Sequence, residues 1–156
     1  MMIDDDMDST GMGLDVAHTR PALRYYGGKW NIAPWIIGHF PPHRAYLEPC
    51  AGGASVLARK RACDVEILND ANGRIVGFFR QLRDNAAELI RRIDLTPWAE
   101  DEYLLCKTPA DDPVEDARRL YVSSWQSVYG VGDNQSGWRW LADPEVRRGL
   151  SPSVDW

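Results

Sequence analysis

Six residues stand where they could do chemistry together: Tyr25 and Lys29 in "RYYGGK", Glu48 in "YLEPC", Gly52 and Gly53 in "CAGGAS", and Asp70 in "ILNDANG". Paired glycines let the backbone approach a ligand closely, and a helix following them would direct its free N–H groups at that ligand. Asp70 lies 18 residues beyond Gly52, where a carboxylate closing a second strand can accept hydrogen bonds from both hydroxyls of a ribose. Glu48 would bind an ammonium group or order the glycine turn by accepting its backbone N–H groups. Lys29 would hold a carboxylate, and Tyr25 would stack on an adenine ring. Plainer roles stand beside these: a glycine turn that serves packing alone, a solvated strand-end Glu48, a surface Lys29 and a half-buried core Tyr25.

These residues need particular elements to position them. "RAYLEP" reads as a short strand, "CAGGAS" as a tight glycine turn, "SVLARKRA" as a helix, and "DVEILND" as a second strand ending in a polar turn. Strand, glycine loop, helix, strand and acid is the first half of a Rossmann-type nucleotide site. Before it, "KWNIAPWIIGHF" spaces Trp30, Ala33, Ile36 or Ile37 and Phe40 as a short helix, which "FPPH" stops. After it, Ile75, Phe78, Phe79, Leu82, Ala86, Leu89, Ile90 and Ile93 recur at three and four, predicting one continuous helix from Arg74. Thr96-Pro97 and Asp112-Pro113 each announce a further helix, the second with Glu115 at the position that closes a capping box. Arg118 and Arg119 read as a solvated helix face. The final 30 residues, from Ser127, are rich in Gly, Asn, Ser and Trp and read as a loop or hairpin region.

Composition narrows the possibilities. A chain of 156 residues fits one domain, which buries roughly 70% of its unfolded surface. With 44% apolar and 26% charged residues, the body is that of an ordinary globular protein, and seven tryptophans are the clear excess. Most of the net charge of −5 comes from the first 20 residues, which hold five acids against Arg20 and leave 18 acids against 17 bases afterwards. Those residues, 1–20, are expected to be a disordered acidic tail. Apolar runs are too short for a membrane span and the start lacks a signal peptide's basic and apolar regions, so a cytoplasmic location and no membrane contact are expected. Cys50, Cys63 and Cys106 form an odd set without a C-x-x-C pair or a nearby His, so no metal is expected and the thiols read as reduced and mostly buried.

Taken together, "RYYGGK", "YLEPCAGGAS" and "ILNDANGRIVGFFRQLRD", in this order and spacing, resemble the N-terminal half of the Dam-like (D12 class) adenine-specific DNA methyltransferases. The resemblance is strong over residues 21–95 and loose over 96–140. It implies an α/β fold: an incomplete Rossmann-type methyltransferase domain (21–95) binding S-adenosylmethionine, with a mostly helical partial target-recognition region (96–156) and double-stranded DNA as partner. In that family the aromatic residue and lysine of the first word touch the cofactor, and these fall on Tyr25 and Lys29. The Glu-Pro-Phe-x-Gly loop falls on Glu48 to Gly52, and the acid that holds the adenosine moiety falls on Asp70. Where the family carries phenylalanine, this chain has Cys50, which removes an aromatic wall beside the cofactor.

The family's methyl transfer is run by an Asp-Pro-Pro-Tyr word on which a flipped adenine stacks. The sequence contains no such word: "FPPH", "DDPV" and "ADPE" each lack part of it. The expectation is therefore a truncated or split enzyme, inactive alone and completed by a separate C-terminal methyltransferase half. A finished, non-catalytic cofactor- or DNA-binding module and a small-molecule methyltransferase are the alternatives. In "SSWQSVYGVGDNQSGWRW", residues 123–140, relatives carry a DNA-reading hairpin, so Trp138 and Arg139, with Arg147 and Arg148 nearby, are candidates for DNA contact; packing into the core is the alternative for the tryptophans.

Overall fold

The computed structural model describes residues 20–132 and 136–140. The expected acidic tail, apart from Arg20, and the candidate contacts Arg147 and Arg148 lie outside the described residues. The first element is a single 3-10 turn, Trp30–Ile32, running into helix α1, Ala33–Ile37. Helical structure is thus shorter than the sequence pattern implies, because Gly38 already closes it and Pro34 confines it to a first turn. Strands β1 (Ala45–Glu48) and β2 (Val65–Leu68) pair in parallel, Ala45 against Val65 and Glu48 against Leu68.

The segment between the strands departs from expectation. Residues 52–59 form a run of turns rather than an α-helix. Ala54 takes a left-handed backbone (φ 49°), costly for a residue with a Cβ, and the Leu57 N–H donates to the Glu48 carboxylate instead of a main-chain carbonyl. Helical bonding resumes only locally, from Ala58 to Ala54 O and from Lys60 to Val56 O.

The long helix read from Arg74 to Ile93 is two: α2, Gly73–Asp84, and α3, Ala86–Asp94. Asn85 (φ −137°) closes the first, its N–H donating to Gln81 O, and opens the second, its carbonyl accepting from Leu89 N. The Asn85 side chain donates to Gln81 Oε1 (2.7 Å) and caps no helix N–H, and the apolar spacing continues on either side, so the break leaves no trace in the periodicity. Helix α4 is Glu100–Cys106 and starts after the position that Thr96-Pro97 announces. Thr96 Oγ1 donates back to Arg92 O (2.7 Å), so it finishes α3 instead of capping α4. Helix α5, Pro113–Gln126, starts where expected, with the Asp112 carboxylate accepting from Val114 N.

Helix α5 is the axis of the molecule. Ala117, Leu120, Tyr121, Val122 and Trp125 are buried against Ile75 and Phe78 of α2, Leu89 and Ile93 of α3, and Leu23 of the opening segment. Arg118 is buried too, which corrects its reading as solvated. It donates to Glu102 (2.7 Å), Glu115 (2.7 Å) and Thr96 (2.9 Å), and that fork of acceptors replaces the water it loses. Glu115 accordingly serves Arg118 and Arg119. A second, smaller cluster of Ala33, Ile37 and Val56, with Phe40 and Tyr46 against it, covers one face of the strand pair. The other face stays bare: Leu47 is 54%, Val65 48% and Ile67 49% exposed. No helix among the described residues is long and apolar enough to cross a membrane.

Candidate functional site

A cavity of about 670 Å³ opens at the carboxyl ends of β1 and β2, and Tyr25, Lys29, Glu48, Gly52 and Asp70 all line it. Five residues chosen from three separate stretches of sequence therefore meet on one concavity. The strands place Glu48 and Asp70 because parallel pairing ends at Glu48 and Leu68, and main-chain bonds from Asn69 N to Glu48 O and from Ala51 N to Asn69 O carry the register into the loops.

Asp70 fixes the glycine turn. Its Oδ2 accepts from Gly52 N (2.9 Å) and its Oδ1 from Asn72 N (2.8 Å). Each carboxylate oxygen carries two lone pairs, so both retain acceptor capacity toward the cavity. Gly52 is required twice over: its φ is +51°, and a Cβ there would press into the Tyr25 ring. The Tyr25 main chain is held by a parallel bridge to Val131, with Tyr26 N donating to Val131 O (2.9 Å) and Val131 N to Arg24 O (2.8 Å). Burial, the Asp70 charge and Cys50 raise the Tyr25 phenol above its ordinary pKa, so the ring enters the cavity neutral.

Glu48 accepts from Tyr46 Oη (2.9 Å) and Leu57 N (2.8 Å), both on Oε1. The carboxylate thus orders the segment after the glycines. Burial and the Glu48 hydrogen bond hold the Tyr46 hydroxyl well above the usual phenol range, which keeps it a donor. Lys29 is exposed at the rim, its ammonium folded back onto the Gly27 carbonyl.

Sequence reasoning passed over Tyr26 and Tyr46. Tyr46 shares the Glu48 face through the two-residue strand period and could have been inferred from it. Tyr26, 63% exposed on the cavity rim, gives no such signal. Cys50 is exposed on the cavity wall and Cys63 is half-buried, so of the three thiols expected to be mostly buried only Cys106 is. The turn that brings Cys50 to the cavity also lifts it out of any core. Among the described residues no group of His, Cys, Asp or Glu could hold a metal ion.

Trp138 and Arg139 do not line the cavity. Ser127 pairs antiparallel with Trp138, and Val128 N and Arg139 N donate to Gly137 O and Gln126 O, so residues 126–128 and 137–139 form the two arms of a hairpin-like pair. The Arg139 guanidinium lies over the Trp98 ring, 5.4 Å from its centroid. Arg24, the residue before Tyr25, ties the hairpin to the opening segment: it donates to Ser127 O and Val128 O and is held below its ordinary pKa by burial and by the charge of Arg139.

The D12 class N6 adenine-specific DNA methyltransferase family matches residues 25–129, from the cavity's first tyrosine to the start of the hairpin. The chain belongs to that family. It is 28% identical over 71 residues to the DNA N-6-adenine-methyltransferase of Escherichia phage P1, covering 46% of this chain and 9% of the relative. It is 32% identical over 75 residues to a type II methyltransferase of Lactococcus lactis subsp. cremoris, covering 46% of this chain and 25% of the relative. The chain thus spans a quarter or less of these curated relatives. In this D12 member the glycine turn, strand-end acid and aromatic-Gly-Gly-Lys segment, distant in sequence, lie around one cavity.

Proposed function

We propose that the cavity at the strand ends binds S-adenosylmethionine and that the chain is the cofactor-binding, N-terminal portion of an adenine-specific DNA methyltransferase. In this reading the strand pair is the start of a Rossmann-type sheet, and a C-terminal methyltransferase half supplies the Asp-Pro-Pro-Tyr word that this sequence lacks. The convergence of Tyr25, Lys29, Glu48, Gly52 and Asp70 on one concavity carries the proposal. The donor set fits the group: a neutral aromatic face for an adenine, a carboxylate with spare lone pairs for ribose hydroxyls, a cation for a carboxylate and Glu48 Oε2 for an ammonium. When bound, the cofactor supplies an electrophilic methyl group. This chain's residues would bind and orient it: Gly52 gives Tyr25 room, Asp70 fixes the turn and would accept from the ribose hydroxyls, and Glu48 orders the segment after the glycines through Leu57.

Removing a charged acceptor from a ribose costs roughly 1 to 3 kcal/mol. Asp70→Ala should weaken S-adenosylmethionine binding by that amount in a tryptophan-fluorescence titration, and an unchanged affinity would remove Asp70 from the site. Arg139 and Trp138 would supply DNA contacts from the hairpin. Arg139→Ala should lower affinity for any duplex and flatten its dependence on salt; an unaltered slope would make Arg139 purely structural. The absence of the catalytic word also suits a non-catalytic binding module. Adding the C-terminal part of a D12 relative separates the two, since restored methyl transfer supports a split enzyme.

A further inference from the structure

Behind the cavity, against the covered face of the strand pair, Lys60, Cys63 and Glu66 form a cluster that the nucleotide site does not use. The Lys60 side chain is 2% exposed, yet it carries an ammonium group. Its Nζ is pinned by the Arg61 carbonyl (2.8 Å) and the Glu66 carboxylate, and lies 3.5 Å from Cys63 Sγ. Glu66 Oε1 in turn accepts from Cys63 N (3.3 Å) and lies 3.9 Å from Cys63 Sγ. A sulfur, an amine and a proton acceptor are thus held together, with the amine sealed from solvent and the sulfur half-open to it.

We propose that Cys63 is an oxidation site at which Lys60 closes a covalent sulfur–nitrogen link. A peroxide oxidises the Cys63 thiol to a sulfenic acid and is reduced to water. The Lys60 ammonium passes one proton to the Glu66 carboxylate, and its freed lone pair attacks the sulfur. The sulfur–oxygen bond breaks, and the departing hydroxide takes a second proton from nitrogen and leaves as water. The product is a sulfenamide, and the electrons removed from sulfur reside in the two waters made from the peroxide. Lys60 ends neutral and Glu66 protonated, so no uncompensated charge is left buried.

The other thiols make internal controls. Cys106 is buried and its thiol is pushed up to about 12, chiefly by that burial, which keeps it protonated and inert. Cys50 is exposed but makes no hydrogen bond to an amine among the described residues. The link is chemistry of this cluster alone and stands whether or not the cavity takes S-adenosylmethionine.

The test treats the folded full chain with a few equivalents of hydrogen peroxide, blocks remaining thiols by alkylation and maps tryptic peptides by mass. The expected species joins Lys60 to Cys63, is two hydrogens lighter than the reduced peptides, resists cleavage after Lys60, and reverts on adding a thiol reductant. It should be lost when the oxidation is run in urea, where the cluster is dispersed. In Lys60→Arg the link should give way to a dimedone-trappable sulfenic acid at Cys63. Recovery of Cys63 as thiol while Cys50 is oxidised, or as sulfinic acid with Lys60 unmodified, in the wild-type map would overturn the proposal without reference to any variant.

Discussion

Helix α5 and the strand pair β1–β2 both carry apolar side chains, and they treat them in opposite ways. Around α5, Leu120, Tyr121 and Val122 are sealed by α2, α3 and α4, and Arg118 has its charge matched by Glu102 and Glu115. On the strands, Tyr46 lies under the small cluster of α1, whereas Leu47, Val65 and Ile67 on the opposite face are about half exposed. Parallel strands are ordinarily covered on both faces. The difference teaches that the packed core and the candidate site are housed apart: the helices carry most of the buried apolar side chains, and the cavity sits at the end of a strand pair covered on one face.

The largest effect should come from the helical side. Phe78 is fully buried and stacks on Tyr121 with ring centroids 6.3 Å apart. Phe78→Ala should cost about 3 to 5 kcal/mol in denaturant unfolding; a loss near 1 kcal/mol would show that the helical body is not the seat of stability. Acid should erode the same body. Arg118 and Arg119 hold the Glu115 carboxyl at about 2, below its ordinary 4.5. A depressed carboxyl stabilises above its unfolded pKa, so that contribution is complete above about 4.5 and is lost as pH falls toward about 2. The pH dependence of unfolding should flatten in this window in Glu115→Gln. The smallest effect belongs to the bare face: Leu47→Ala should change stability by less than about 0.5 kcal/mol. A loss of 2 kcal/mol or more would mean that the face is covered in solution and would erase the contrast.

How much of this was legible in the sequence follows the same division. The three words that meet at the cavity could be read because each combines residue types with few other uses: a glycine pair between strands, an acid at a strand end, a lysine after two glycines. Helix α5 was legible from its Asp-Pro start. What escaped were features decided by local geometry that leaves the apolar spacing intact. Asn85 takes a non-helical backbone and divides one periodic run into two helices, the Thr96 hydroxyl closes the helix behind it, and Glu48 draws the Leu57 N–H away from a helix. The burial of Arg118 was invisible for a related reason, since its partner Glu102 sits on another helix and charge pairing across elements leaves no mark in spacing.

The central claim, that the convergent cavity binds S-adenosylmethionine, is met most directly by calorimetric titration of the 156-residue chain with that molecule. The account predicts saturable binding at a single site. No heat of binding, in a chain shown by its cooperative unfolding to be folded, would contradict it.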